Sequence, residues 1–280
     1  MKTWLAGMIG VSAIAMAGAA GATTITFADF SSTGGLQLNG AAAVATDASS
    51  RQVLRLTNNL SQAGSAFSTT AISLAADASF SAKFAFNINN PINGGADGIV
   101  FVVQTVANNV GGFGGGIGYT GIAKSVGIEI DNWPNGSGFG DPDDNHVAVN
   151  TGGLLNAIGD AVSVPKATID FDSSGDVFAW VDYNGATDLL EMRLATSDSR
   201  PATALIARTV DLAAVLETTD AFVGFTSGTG SAGANHDILS FEFRDTFAPV
   251  DVDPPTGVPA PASLALLGSA IAALGLRRRS

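Results

Sequence analysis

The most informative stretch of this 280-residue chain is Glu129-Ile130-Asp131-Asn132-Trp133-Pro134-Asn135, followed by Asp141-Pro142-Asp143-Asp144-Asn145-His146. Glu129 and Asp131 stand two apart among the apolar Ile128 and Ile130, so on a strand both carboxylates point to one side and both isoleucines to the other. Two carboxylates buried together repel, and a cation is their natural neutraliser. Beyond the strand a loop containing Pro134 and several glycines returns Asn135 and Asp141 within reach, and His146 opens the next strand. Asp131, Asn135 and Asp141, with the Trp133 backbone carbonyl, form an all-oxygen set suited to Ca2+. Glu129, Asp131, Asp141 and His146 form a mixed oxygen and nitrogen set suited to Mn2+ or another transition metal. Asp143 and Asp144, taken alone, read as solvated loop acids.

These side chains need a rigid scaffold, and the pattern around them is that of strands. Phe80, Ala82, Phe84, Phe86 and Ile88 fall on one face, with Ser81, Lys83 and Asn87 on the other. Val126, Ile128 and Ile130 alternate with Ser125, Gly127, Glu129 and Asp131, and further strands read at 177–183, 189–194, 222–225 and 238–243. Residues 98–106 form a more continuously apolar run, and the one helical signal is a short turn at 211–216. Strands separated by Gly- and Asn-rich turns, without an internal repeat, predict an all-β fold: a two-sheet antiparallel β-sandwich of the jelly-roll type. The length fits one such domain of roughly 200–250 residues with extensions. The absence of cysteine excludes a disulfide framework, a thiol nucleophile and a Cys-ligated metal site.

At the metal loop the chain resembles the L-type (legume-type) lectins, whose loop reads E-x-D-x-aromatic-x-N, then D-P-x-x-x-H, with every position filled here. Ala96-Asp97-Gly98-Ile99 is similar to the family's A-D-G segment, and Gly114-Gly115-Gly116-Ile117-Gly118-Tyr119 to its glycine-rich loop. Trp180–Gly185 resembles its late hairpin, and 223–226 through 236–240 its last strand pair, so the likeness covers residues 24–245. The resemblance implies carbohydrate binding and a role for each residue. Asp97, after a cis peptide, accepts hydrogen bonds from two sugar hydroxyls. Asn135 gives its amide oxygen to Ca2+ and its NH2 to the sugar. Trp133 offers a flat apolar surface to the sugar's C–H face. A backbone N–H of Gly114 or Gly115 approaches a hydroxyl closely because no side chain intervenes. Gly230, Ser231 and Ala232 belong to the variable loop (230–234) that tunes specificity, and His236 is structural.

Both ends read as addresses. An uncharged apolar stretch runs from Trp4 to about Ala20, and Ala20-Gly21-Ala22 supplies the small-x-small pattern of a cleavage site, so residues 1–22 are expected to be a cleaved signal peptide. The lectin-like domain then spans 23–247, a Pro-rich linker 248–257, and a tail 258–280 made of Val258-Pro259-Ala260-Pro261, an apolar run from Leu264 to Leu276 and Arg277-Arg278-Arg279. That run is shorter than the roughly 20 residues a spanning helix needs, and the arginines favour the cytoplasmic side. The tail resembles the PEP-CTERM sorting signal of Gram-negative bacteria, with Pro259-Ala260-Pro261 in place of Pro-Glu-Pro. The resemblance implies export to the cell surface, outer envelope or extracellular matrix, with an exosortase-type sorting enzyme as a partner.

The net charge is −12, and removing Lys2, Arg277, Arg278 and Arg279 leaves 9 basic against 25 acidic residues, a mature charge of −16. A chain this acidic, with no basic cluster before the tail, excludes nucleic acid as a partner. Two other functions compete with that of a non-catalytic, metal-dependent lectin for glycans or exopolysaccharide. Glu129-Ile130-Asp131 also begins like the E-x-D-x-x-E or E-x-D-x-E strand of jelly-roll glucanases, whose retaining chemistry needs a second carboxyl about 5–5.5 Å away. Trp133 and Pro134 stand where that Glu belongs, so the proton donor is missing. A structural matrix component, with metals that only stabilise the fold, is the third reading. A homo-oligomer is compatible with all of them, and the sugar itself is not written in the sequence.

Overall fold

The alternation along 80–88 sorts two chemistries onto the two sides of a strand, and burial follows it: Phe80, Ala82, Phe84, Phe86 and Ile88 all lie in one core. The computed structural model describes residues 23–251 apart from 75–76, 113, 137, 156–160 and 174. The segments read as signal peptide and sorting tail lie outside the described residues, as does the linker beyond Asp251.

In chain order the strands are β1 (Thr24–Phe27), β2 (Leu36–Gly40), β3 (Ala43–Thr46), β4 (Gln52–Thr57), β5 (Ala63–Ser68), β6 (Ile72–Ser73), β7 (Phe80–Ile92) and β8 (Gly98–Gln104). They continue as β9 (Ser125–Asp131), β10 (His146–Thr151), β11 (Val162–Ser163), β12 (Val177–Asn184), β13 (Leu189–Ala195), β14 (Ile206–Thr209), β15 (Asp220–Gly228) and β16 (Gly233–Arg244). One sheet runs β14-β13-β12-β7-β16-β4-β3, with β1 also on β16. The other runs β11-β10-β9-β8-β15-β5-β2, with β6 also on β15. All pairings named here are antiparallel, so the fold is the expected all-β sandwich. Among the described residues the α-helix is one turn, α1 (Leu212–Leu216), beside a 3-10 turn at Gly114–Gly116; α1 is capped by Asp211, whose Oδ1 accepts the Ala214 N–H at 2.9 Å.

The main core lies between the sheets and is largely aromatic. Phe84 of β7 meets Phe225 of β15 edge-on at 5.1 Å between ring centroids, and stacks on Phe101 of β8 at 5.6 Å. Every residue of β8 and β9 is buried, because these strands are covered on both faces. Ile99, Phe101, Ile128 and Ile130 face the main core. Val100 and Val102 face a second, smaller core closed by Phe67, Ile117, Tyr119 and Ile122. The glycine-rich loop that carries Ile117 and Tyr119 is thus folded over the outer face of β8 and β9, the face onto which Glu129 and Asp131 must project.

Candidate metal and ligand site

β9 delivers Glu129 and Asp131, and its register with β10 sets His146 opposite Asp131 and Ala148 opposite Glu129. Ligand atoms of Glu129, Asp131 and His146 consequently lie within 4.8 Å of one another, all three residues being buried. His146 Nδ1 sits 3.0 Å from the Asp143 carbonyl oxygen, to which it can only donate, leaving the lone pair on Nε2. Nε2 faces Asp141 Oδ1 at 3.7 Å, and the Asp141 side chain is only 1% exposed. Asp141 Oδ2 accepts the Asn135 N–H at 2.6 Å, and Asp131 Oδ1 accepts the Trp133 N–H at 2.6 Å, so the loop from 131 to 141 is folded around its own carboxylates. The four residues expected to form the mixed set are all together here, and Asn135 and Trp133 of the all-oxygen set are tied to them.

Asn150 is a member that sequence reasoning missed. Its Nδ2 donates to Glu129 Oε2 at 2.7 Å. It lies two residues beyond Ala148, the residue opposite Glu129, so the signal existed only in the pairing of β9 with β10.

The electrostatics are those of carboxyl groups held against ionisation by burial. Burial pushes the Glu129 carboxyl up to about 7, with Asp141 adding to the shift and Asn150 opposing it. Asp131 is raised well above its ordinary value by burial first and by Glu129 second. Burial likewise raises Asp141 and lowers His146. Glu129 Oε1, Asp131 Oδ2 and Asn135 Oδ1 are buried oxygens without a hydrogen-bond partner among the described residues. Orphaned acceptors of this kind, on hard oxygen donors plus one imidazole, fit a divalent cation.

Next to this cluster stands Asp97, on the segment before β8. The Ala96–Asp97 peptide is cis. The Asp97 N–H donates to the Gly228 carbonyl at 3.1 Å, and its carbonyl accepts the Asn132 N–H at 3.3 Å, which joins it to β15 and to the metal loop. Its Oδ1 accepts from Asn135 Nδ2 at 3.4 Å, while Oδ2 is buried without a partner among the described residues. Burial pushes its carboxyl up to about 6, against the Asn135 hydrogen bond. Asn135 therefore presents an amide donor to Asp97 and keeps a buried oxygen that has no partner among the described residues.

The glycine loop contributes by absence of a side chain. A Cβ on Gly115 would lie 2.3 Å from Asn135 Nδ2, so only glycine leaves the Asn135 amide where it is. The Gly114 N–H, by contrast, is spent on the Thr229 carbonyl at 3.1 Å. Trp133 is half-buried, outside the core clusters, with its ring edge against Gly94, where a Cβ would come within 3.1 Å. Gly230 approaches Asp97 Oδ2, a Cβ there falling 4.0 Å away. The Gly230 carbonyl accepts the Ser61 N–H at 2.9 Å and the Ser231 carbonyl accepts from Asn93 Nδ2 at 2.8 Å. Ser231 is exposed, whereas Ala232 is buried. Asn93 and Thr229 carried no signal in the sequence, because their roles come from strands distant along the chain. His236 is fully buried, 2.7 Å from Thr57 Oγ1 through Nδ1, with its pKa pushed down to about 3 by burial, as befits a structural histidine.

The family model for the legume lectin domain matches residues 22–257. The L-type lectin-domain containing receptor kinase VIII.1 of Arabidopsis thaliana is 30% identical over 176 residues, 60% of this chain and 24% of that protein. The chain spans about a quarter of such receptor kinases, whose remaining length has no counterpart in the match. The bark lectin of Styphnolobium japonicum is 26% identical over 185 residues, 62% of this chain and 64% of that lectin. Among solved structures, peanut lectin with a nine-residue peptide is 25% identical, covering 80% of this chain and 97% of that one with a TM-score of 0.66. A lectin from Bauhinia forficata in complex with GalNAc gives a TM-score of 0.67 at 22% identity, covering 80% and 97%. With its sandwich, its loop and a family match over nearly the whole described chain, this protein belongs to the legume lectin domain family.

Proposed function

We propose that the chain is an exported, metal-dependent and non-catalytic lectin that binds a glycan or exopolysaccharide through Asp97. The observation that carries this reading is the Asp97 carboxylate, buried but with Oδ2 unpartnered, anchored through Oδ1 to the same Asn135 that belongs to the metal loop. Asp97 accepts ligand hydroxyls in charge-assisted hydrogen bonds, the strong kind. Asn135 Nδ2 is the matching donor, and half-buried Trp133, two residues earlier, offers an apolar face to a sugar ring. Ca2+ on Asp131, Asn135, Asp141 and the Trp133 carbonyl, with Mn2+ or another transition metal on Glu129, Asp131, Asp141 and His146, would supply the charge that keeps the carboxylates ionised and the loop fixed. The order of parts at the two termini supports export, with cleavage after Ala22 and sorting of the 258–280 tail by an exosortase-type enzyme. Trp133 and Pro134, where a glucanase would carry its second Glu, favour binding over hydrolysis.

A glycan array, run with and without a chelator and including the GalNAc that the Bauhinia lectin carries, tests the reading. Binding that disappears on chelation and returns with Ca2+ and Mn2+ is expected. Chelator-insensitive binding refutes metal dependence, and release of reducing sugar from a bound polysaccharide refutes the non-catalytic reading.

A further inference from the structure

Thr23 is the residue that would begin the chain after cleavage at Ala20-Gly21-Ala22, and its nitrogen has an unusual neighbour. β1 pairs antiparallel with the end of β16, Thr24 opposite Arg244, and this register brings Thr23 to Asp245. The Thr23 nitrogen donates to Asp245 Oδ2 at 2.8 Å, and the Asp245 N–H donates to the Thr23 carbonyl at 3.2 Å. Asp245 is only 6% exposed, and its Oδ1 is buried with no hydrogen-bond partner among the described residues. The adjacent cation, Arg244, is committed elsewhere, to Glu242 Oε1 at 2.7–2.8 Å and to the Ala248 carbonyl at 2.8 Å. A buried carboxylate with one unmet oxygen, and no cation paired to it among the described residues, is costly.

A peptide nitrogen at position 23 has a single proton to give. An ammonium in the same place has three, enough for both oxygens of Asp245, and carries the missing charge. We propose that Asp245 is the receptor for the α-ammonium of Thr23, created when the leader is removed, and that the resulting buried ion pair locks β1 onto β16. The inference rests on the proposed export. In the cleavage, a signal-peptidase-type hydrolase adds water across the Ala22–Thr23 bond. Hydroxide goes to the Ala22 carbonyl carbon and a proton to the Thr23 nitrogen. The new carboxyl proton then passes to the amine, leaving one carboxylate and one ammonium. Removal of the leader and completion of the fold are then a single event. β1, four residues long and paired in its sheet to β16, gains an end clamp that the precursor lacks.

The test is a cycle of melting temperatures. The chain starting at Thr23 is compared with the same chain retaining Ala22, each with Asp245 and with Asp245→Asn. The added residue should lower the melting temperature by on the order of 5 °C when Asp245 is present and leave it nearly unchanged in the Asp245→Asn background. If Asp245→Asn does not fold, Nα-acetylation of the Thr23 chain removes the charge with Asp245 intact, and the acetylated chain should melt lower by a similar amount. N-terminal sequencing of the exported full-length product should read Thr23 first. A processed start at any other residue overturns this inference and leaves the export reading standing, whereas a product that still carries its leader overturns both. A start at Thr23 with equal losses in both backgrounds, or no loss on acetylation, overturns the ion pair alone.

Discussion

On the proposed reading Asp97 serves the ligand more than the fold. Its contacts to Gly228 and Asn132 are through backbone atoms, which a substitution leaves in place. Asp97→Ala should therefore keep the melting temperature and metal content close to those of the wild type. It removes charge-assisted hydrogen bonds worth roughly 1.5–3 kcal/mol each. From a dissociation constant near ~1 mM, about −4.1 kcal/mol, glycan binding by titration calorimetry should fall below detection; normal binding would refute its role. His236 makes the opposite case, a residue of the fold. Burial lowers its pKa from 6.5 to about 3, so between those values the unfolded chain holds a proton that the folded chain refuses. The stability it contributes is complete above pH 6.5 and is lost as the pH falls toward 3, by up to about 1.4 kcal/mol per pH unit. Urea midpoints measured from about pH 7 to about pH 5 should drop more steeply for the wild type than for His236→Gln. Parallel slopes would show that His236 does not titrate in this window.

Elements decide which of these residues can meet. Gly115→Ala sets a Cβ 2.3 Å from the Asn135 amide, and the obstructed atoms are the free end of a side chain, which can swing away. The melting temperature of metal-free protein should barely change, while Ca2+ and glycan affinity each fall about tenfold or more, ~1.4 kcal/mol. Calorimetry on both ligands checks this, and retained affinity would mean that Asn135 binds neither. The faces of β7 and β9 were legible in the sequence because a period of two survives wherever one side is aromatic or branched, as in Phe80–Ile88 and Val126–Asp131. β5 was not, since Ala63-Gly64-Ser65-Ala66 lies between β2 and β15 with small side chains that leave no alternation to read. The same limit applies at the site. Glu129 and Asp131 declare themselves by spacing, and Asp141 and His146 follow within one loop. Asn150 needs the β9–β10 register, and the engagement of the Gly114 N–H with Thr229 needs the two loops to be folded together.

For the whole molecule the central quantity is charge. The chain carries 25 acidic against 13 basic residues, and its site concentrates Glu129, Asp131 and Asp141 where burial already disfavours their ionised forms. Bound cations should therefore stabilise the entire sandwich, by about 2.7 kcal/mol at a hundredfold excess over the dissociation constant. For a domain of this size that is a shift on the order of 5–10 °C in melting temperature. Thermal melts with and without a chelator, alongside elemental analysis, test this; unchanged melts and absent Ca2+ and Mn2+ would refute both metal sets. The Asn135 side chain, with one amide atom on Asp97 and the other unpartnered in the metal loop, has a further implication. If the cation raises glycan affinity by some factor through this shared amide, thermodynamic reciprocity requires the glycan to raise cation affinity by the same factor. A glycan-bound chain would then hold a cation at free-ion concentrations that strip the unbound protein, so that the ligand itself would act as a guard against metal scarcity.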